Sequence, residues 1–335
     1  TILKRTYALE GSTVTALDTY FVYDDYENLA FVLPPLMAAS NASFSSLPAN
    51  INALAYRYVY DGRNRIVEKQ LPGKGKEYVV YNTLDQPIMT QDAIQRTRDE
   101  WLFVKFDAWG REAYTGKVTN TDDRPAVQTS ANSVSGNLWV ERQSNDQNTA
   151  FTDDVEIFYN NGTYPTADIT EILTINYYDD YSFDSNLNPT ETAFGVTSDT
   201  QTRGLTTGTK VRVLDTTPTK WITTVTYYDK EARAIYIKTK NDFLNTIDLT
   251  TNKLGFDGRA MIVRNVQTRG DFTIVTLDNF TYDHTGRILE LEQCIGNANL
   301  GETCTGSGAP TNIVLNGPTV TTNQLATSSI VLSGT

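Results

Sequence analysis

The chain is written in short alternations rather than in helical periods. Tyr56-Arg57-Tyr58-Val59-Tyr60 puts three tyrosines on one face of an extended segment, and Leu289-Glu290-Leu291-Glu292 alternates in the same way after a turn. Leu29 to Leu33 is a continuous apolar run of strand length. Clusters of Asp, Asn and Gly fall between such runs and suit chain reversals. The pattern predicts short strands joined by tight turns. Ala93 to Glu100 is the one charged, helix-like stretch, a short helix or turn leading into the strand that begins at Trp101. Residues 34 to 50 have no strand pattern and read as a short helix or loop excursion. Two polar stretches, Thr119 to Asn148 and Asp179 to Thr202, are expected to leave the sheet as exposed excursions. The first is expected to carry a small strand at Leu138 to Glu141.

A motif recurs through these alternations. An aromatic residue is followed by Asp, two variable residues, a turn residue and, in most copies, Arg. The copies are Tyr23-Asp24-Asp25-Tyr26-Glu27-Asn28, Tyr60-Asp61-Gly62-Arg63-Asn64-Arg65, Tyr81-Asn82-Thr83-Leu84-Asp85-Gln86, Phe106-Asp107-Ala108-Trp109-Gly110-Arg111, Tyr228-Asp229-Lys230-Glu231-Ala232-Arg233 and Tyr282-Asp283-His284-Thr285-Gly286-Arg287. Phe256-Asp257-Gly258-Arg259 reads as a shortened copy that suits a two-residue hairpin turn. Tyr178-Asp179-Asp180 is degenerate. Steps between neighbouring copies of 21 residues (Tyr60 to Tyr81) to 28 (Tyr228 to Phe256) fit one hairpin and its connection. The Asp suits an Asx turn, and the fourth residue after the aromatic is where positive φ is needed. Glu27 and Ala232 break the Gly/Asn/Asp preference there, so those turns are expected to be strained or of another type. The Arg stem is expected to lie along the aromatic face, its head meeting a carboxylate such as the motif Asp of a neighbouring hairpin.

The 335 residues carry 28 Lys+Arg against 40 Asp+Glu, a net charge of −12, which argues against a nucleic-acid backbone as partner. No segment approaches the 18 or so apolar residues of a membrane-spanning helix. The start at Thr1 is expected to reflect removal of a signal peptide or excision from a longer protein, and the stop after Ile330-Val331 favours excision. Cys294 and Cys304 bracket a short Gly/Asn loop and are expected to form a local disulfide in an oxidising compartment, with two free thiols as the alternative. No cofactor or metal is expected: His284 is the only histidine, and zinc sites usually take four Cys/His ligands.

The Tyr-Asp-x-x-Gly-Arg units resemble the YD repeats of RHS-type proteins. Longer stretches, from Tyr23 to Pro35, Tyr58 to Gly73, Asp107 to Gly116 and Phe280 to Leu289, look like the RHS proteins of Bacteroidetes-type bacteria. The resemblance covers roughly residues 15 to 292. It implies an all-β fold: a spiralling antiparallel sheet of stacked YD-repeat hairpins, a section of an RHS-like shell, with long polar loop excursions. Residues 1–304 are then the repeat ribbon, and 305–335 a Thr/Ser-rich linker leading into an inserted or following β segment. The expected function is structural and non-catalytic, in a secreted or cell-surface protein, with type IX secretion implied by the resemblance alone. The expected partners are the remaining segments of a larger RHS-like protein or its cargo, toxins included.

Other chemistry competes with this reading. The aromatic faces suit sugar stacking, so a carbohydrate-binding surface module is the alternative, although tyrosines recurring at a structural motif favour a packed face. A polysaccharide hydrolase would need two facing carboxylates, and the sequence offers no way to choose a pair. Paired acids at Asp24-Asp25, Asp122-Asp123, Asp153-Asp154 and Asp179-Asp180 lack EF-hand spacing and read as Asx caps or solvated surface rather than a calcium site. His284 reads as a solvated turn residue. Asn41-Ala42-Ser43 and Asn161-Gly162-Thr163 fit glycosylation acceptors in a source that glycosylates.

Overall fold

The computed structural model describes residues 2–38, 51–147, 151, 155–183, 190–296, 313–316 and 330–333. They form two compact units, one of Thr1–Gln143 with Gln147–Ile172, the other of Ser144–Asp146 with Leu173–Thr335.

The first unit is a run of hairpins. Strand β1 (Leu3–Glu10) pairs antiparallel with β2 (Thr13–Tyr23), and β2 pairs with β3 (Leu29–Leu33). After α1 (Pro35–Ala38) and α2 (Ile51–Leu54), β4 (Tyr56–Tyr60) pairs with β3 and with β5 (Ile66–Gln70). The same scheme continues through β6 (Glu77–Tyr81), β7 (Pro87–Gln91), the one-turn α3 (Ala93–Arg96), β8 (Glu100–Phe106) and β9 (Glu112–Thr119). Every strand from β2 to β9 therefore pairs with its predecessor, over eight residues at β1–β2 and over two at β3–β4, β5–β6 and β7–β8.

The excursion after β9 differs from expectation. It folds back as helix α4 (Arg124–Asn132), because Asp123 accepts the Ala126 N–H at 3.0 Å and Pro125 sits in the first turn. Val127 and Ala131 on α4 are buried, and Leu138 to Glu141 supplies only an isolated bridge, Asp107 to Val140. Strand β8 alternates buried and half-buried residues, turning Trp101, Phe103 and Lys105 inward. Phe103 and Phe151 both meet Tyr114 edge-on, with centroids 6.1 and 5.8 Å away.

Strand β10 (Ile169–Asp179) lies next to β9 in the first unit and, from Thr174 onward, pairs with β13 in the second. The excursion from Asp180 to Gln201 is not simply exposed: it buries Tyr181 and Phe183 and carries the small hairpin β11 (Thr192–Ala193) and β12 (Val196–Thr197). The Phe183 ring stacks on Tyr177 at 4.3 Å and fills the space above Gly208. The second unit then repeats the antiparallel scheme through β13 (Thr202–Val213), β14 (Lys220–Tyr228), β15 (Ala234–Asn241), β16 (Thr246–Leu254), β17 (Ala260–Arg269), β18 (Phe272–Tyr282) and β19 (Ile288–Gly296). Its last strands are β20 (Ile313–Asn316) and β21 (Ile330–Ser333); β21 pairs antiparallel with β19 and parallel with β20. One face of β17–β19 gathers Val275, Leu277 and Cys294 into a buried cluster flanked by Ile262 and Val266.

Candidate functional site

The motif residues occupy one rim of each unit, at the reversals between β2 and β3, β4 and β5, β6 and β7, and β8 and β9 in the first, and between β14 and β15, β16 and β17, and β18 and β19 in the second. Each reversal is the same object. Tyr60 opposes Ile66, with a one-residue slip in register just inside it; Tyr23, Tyr81, Phe106, Tyr228 and Tyr282 oppose the residue six positions on in the same manner.

Inside the turn, Asp61 N–H donates to the Arg65 carbonyl at 3.0 Å, and Asn64 N–H to the Asp61 carbonyl at 3.0 Å. Asp61 Oδ1 accepts the Arg63 and Arg65 N–H groups at 2.9 and 3.0 Å, while Oδ2 takes Arg65 Nε at 2.7 Å. Asp107–Arg111, Asp229–Arg233 and Asp283–Arg287 repeat this arrangement. The Arg head thus meets the Asp of its own turn rather than the motif Asp of a neighbouring hairpin, and Arg65 reaches a second carboxylate, Asp85, in the next turn. Asp24 makes the same turn with Asn28 in place of Arg. The third copy keeps the geometry without charge: Asn82 Oδ1 accepts the Leu84 and Gln86 amides at 3.0 Å, and Asn82 Nδ2 donates to Gln86 Oε1 at 2.7 Å.

The residue four after the aromatic is left-handed throughout: φ is 64° at Glu27, 60° at Asn64, 63° at Asp85, 75° at Gly110, 61° at Ala232 and 87° at Gly286. Glu27 and Ala232 therefore make the common turn, not another type. The copy at 256 is not shortened. Leu254 opposes Ala260, and Gly255 stands where the others have Asp, its N–H donating to the Arg259 carbonyl at 2.8 Å. Gly258 has φ 83°, and Asp257 supports Arg259 from two residues away. Phe256 consequently projects from the tip, fully exposed, and the two-residue turn does not form.

Successive turns are joined. Tyr60 Oη donates to the Leu29 carbonyl at 3.0 Å, Tyr81 Oη to Ile66 at 2.9 Å and Tyr282 Oη to Ala260 at 2.8 Å. In each case the acceptor is the first residue of the outgoing strand of the preceding hairpin. Arg65 lies over the Tyr81 ring at 4.4 Å and Arg259 over Tyr282 at 5.6 Å. Arg65 and Arg63 both reach Asp85 of the next turn at 2.7 Å, Asn28 reaches Asn64 at 3.1 Å, and Arg233 reaches the Gly255 carbonyl at 3.1 Å. Burial pushes the Asp61 and Asp229 carboxyls up, but hydrogen bonds from Arg65 and Arg233 and from turn amides outweigh it and hold both below the ordinary range. Asp283 is held well below that range, first by the Thr285 hydroxyl and then by the Arg287 amide.

Asp179 of the degenerate copy also has positive φ and bonds Gly204 N–H at 2.6 Å; lacking the Gly and Arg of the motif, the reversal opens into the 180–201 excursion. Asp122-Asp123 begins α4 and Asp180 caps Ser182, while Asp153-Asp154 lies outside the described residues. His284 is exposed at a turn tip. Cys294 is buried and disulfide-bonded; Cys304, the other cysteine of the chain, lies outside the described residues, as do Asn41 and residues 305–312.

Sequence reading missed Lys105. Burial pushes its ammonium well below the ordinary value. Three oxygens offset that: its Nζ donates to Asn161 Oδ1, to the Thr163 carbonyl at 2.8 Å and to the Pro165 carbonyl at 2.7 Å, matching the three N–H groups of the charged form. The Phe103 and Tyr114 rings face it at 5.7 and 5.5 Å. Asn161, read as a glycosylation acceptor, thus has its amide engaged by Lys105 and, through Nδ2, by the Thr166 carbonyl at 3.0 Å.

No family model matches the chain, and the curated proteins give no match. Among solved structures it is similar to TcdB2-TccC3 without its hypervariable C-terminal region, at 10% identity and TM-score 0.39, covering 88% of this chain and 14% of that one. It is similar also to TcdB2-TccC3-TEV, at 10% identity and TM-score 0.35, covering 87% of this chain and 15% of that one. The chain therefore spans about one seventh of the length of these neighbours.

Proposed function

We propose that the chain is a non-catalytic section of an RHS-like β shell in a secreted or cell-surface protein, where it walls off cargo or scaffolds a larger assembly. One observation carries the reading: in each unit consecutive hairpins share strand pairing, and tyrosine hydroxyls fix the start of one outgoing strand to the next hairpin. That construction extends a sheet hairpin by hairpin rather than shaping a cleft. The most strongly held carboxylates are committed to their own turn amides and arginines, which supports a structural use. The disulfide of Cys294 supports an oxidising compartment. Electron microscopy of the natural protein tests the proposal. The expected image is a thin wall around a lumen, with these hairpins in the wall; a solid particle in which they surround no space overturns it.

A second reading, a carbohydrate-binding surface, is favoured by the aromatic turn tips. Tyr26 and Trp109 in the first unit are 79% and 71% exposed, whereas Trp101 is fully buried. Titration of Trp109 fluorescence with glycans of several classes tests it: a saturable change lost in Trp109→Ala is expected, and no change with any class overturns it.

A further inference from the structure

Lys105 is 1% exposed, and among the described residues no carboxylate bonds to it. Its Nζ instead touches the side-chain amide of Asn161, a residue 56 positions further on. Both groups are held where they meet. The Thr163 and Pro165 carbonyls accept from Nζ at 2.8 and 2.7 Å, and Asn161 Nδ2 donates to the Thr166 carbonyl at 3.0 Å. Tyr114, buried beside Lys105, donates its hydroxyl to the Asn160 carbonyl at 2.9 Å and so fixes the residue before Asn161. The Phe103 and Tyr114 rings flank Nζ at 5.7 and 5.5 Å. A cavity of about 20 Å³ lies against Lys105, Thr163 and Tyr164, large enough for one molecule the size of water or ammonia. An amine and a carbonyl fixed in contact react as if each were present at about 10⁵–10⁸ M. Burial also lowers the cost of removing the lysine proton, which frees the lone pair for attack.

We propose that Lys105 and Asn161 join in an intramolecular amide bond that staples β8 to the segment following Asn160. The Lys105 ammonium gives one proton to solvent, and the Nζ lone pair attacks Asn161 Cγ. The Nζ–Cγ bond forms, a second Nζ proton passes to Nδ2, and the Cγ–Nδ2 bond breaks. Ammonia leaves and takes up a proton from solvent. An ammonium and a primary amide have become a secondary amide and an ammonium ion, with nothing oxidised or reduced. The gain is electrostatic: a charge buried without a counter-ion is exchanged for a neutral group, and the charge goes to water. The Thr163 and Pro165 carbonyls then share the one remaining Nζ–H, and Lys105 no longer titrates. The inference rests on contacts inside the first unit and is independent of the shell reading.

Mass spectrometry of the full chain, folded and then reduced and denatured, tests it. The expected chain is lighter than its sequence by one ammonia, trypsin does not cut it between Lys105 and Phe106, and one linked peptide pair carries both Lys105 and Asn161. Asn161→Ala is expected at its full sequence mass, with the cut after Lys105 restored. On a denaturing, reducing gel it is expected to run behind the parent, whose closed loop keeps it more compact. A succinimide at Asn161-Gly162 loses the same ammonia but leaves Lys105 open to trypsin, so that pattern overturns the proposal. A parent chain still at its full sequence mass after prolonged incubation in the folded state overturns it as well. Because the parent alone gives this readout, the outcome does not depend on whether the variant folds.

Discussion

Ala232 holds a left-handed backbone at φ 61° in a slot where Gly110 and Gly286 sit without a Cβ. A left-handed L-residue is disfavoured by about 1–2 kcal/mol, and glycine's extra freedom in the unfolded chain takes back about half of that. Ala232→Gly is thus expected to stabilise the protein by about 0.5–1 kcal/mol in urea unfolding followed by circular dichroism; a loss of stability would show that the Ala232 methyl packs usefully. At the same scale, a single carboxylate does the work of the turn. Asp107 accepts the Trp109 and Arg111 amides and Arg111 Nε at once, so one side chain satisfies three donors that the reversal would otherwise leave open.

The hairpin is the element that recurs, and its tolerance can be stated from the copies themselves. Asn82 and Gln86 build the reversal from neutral amides, with the backbone bonds of the Asp–Arg copies. The double change Asp107→Asn with Arg111→Gln is accordingly expected to cost no more than about 1 kcal/mol, whereas Asp107→Ala, which strands two amides and a guanidinium, is expected to cost about 3 kcal/mol. Urea midpoints of the two variants check this, and equal losses would mean that charge rather than hydrogen bonding holds the turn. The reversals at Tyr60, Phe106 and Tyr282 were legible in the sequence, because Asp, a turn residue and Arg at fixed offsets are all consequences of local backbone geometry. Gly255 was not, since a glycine can take the backbone role of Asp without leaving a side-chain signature. Nor was helix α4: its polar surface hides the two residues, Val127 and Ala131, that it buries, and its packing is set by non-local contacts. Lys105 looked like any strand lysine because its acceptors come from residues 161 to 165, more than fifty positions away.

For the whole molecule the titrating groups set limits on both sides of neutrality. Asp24, Asp61, Asp229 and Asp283 are all held below the ordinary carboxyl range. A depressed folded value means that their contribution is complete above the unfolded pKa, near 4, and is lost as pH falls through the folded values. Tyr60, Tyr81 and Tyr228 are raised, in each case first by burial, so they favour the fold below about pH 10 and cease to do so as pH climbs beyond it. These carboxyls and tyrosines leave stability level between about pH 5 and 9 and lower it on either side, with tyrosinate absorbance rising together with alkaline unfolding, while Lys105 in its unlinked form, lowered by burial, adds a rise in stability as pH climbs toward its unfolded value of about 10.4. A decline beginning at pH 7 would point to other groups.

The tyrosine hydroxyls give the chain a sense of time. The carbonyl at Leu29 is closed by Tyr60, the one at Ile66 by Tyr81 and the one at Ala260 by Tyr282, always by a residue synthesised later. During translation, then, each of these three carbonyls is without its tyrosine until the following hairpin has been made, and the bonds become available in order from the amino end toward the carboxyl end.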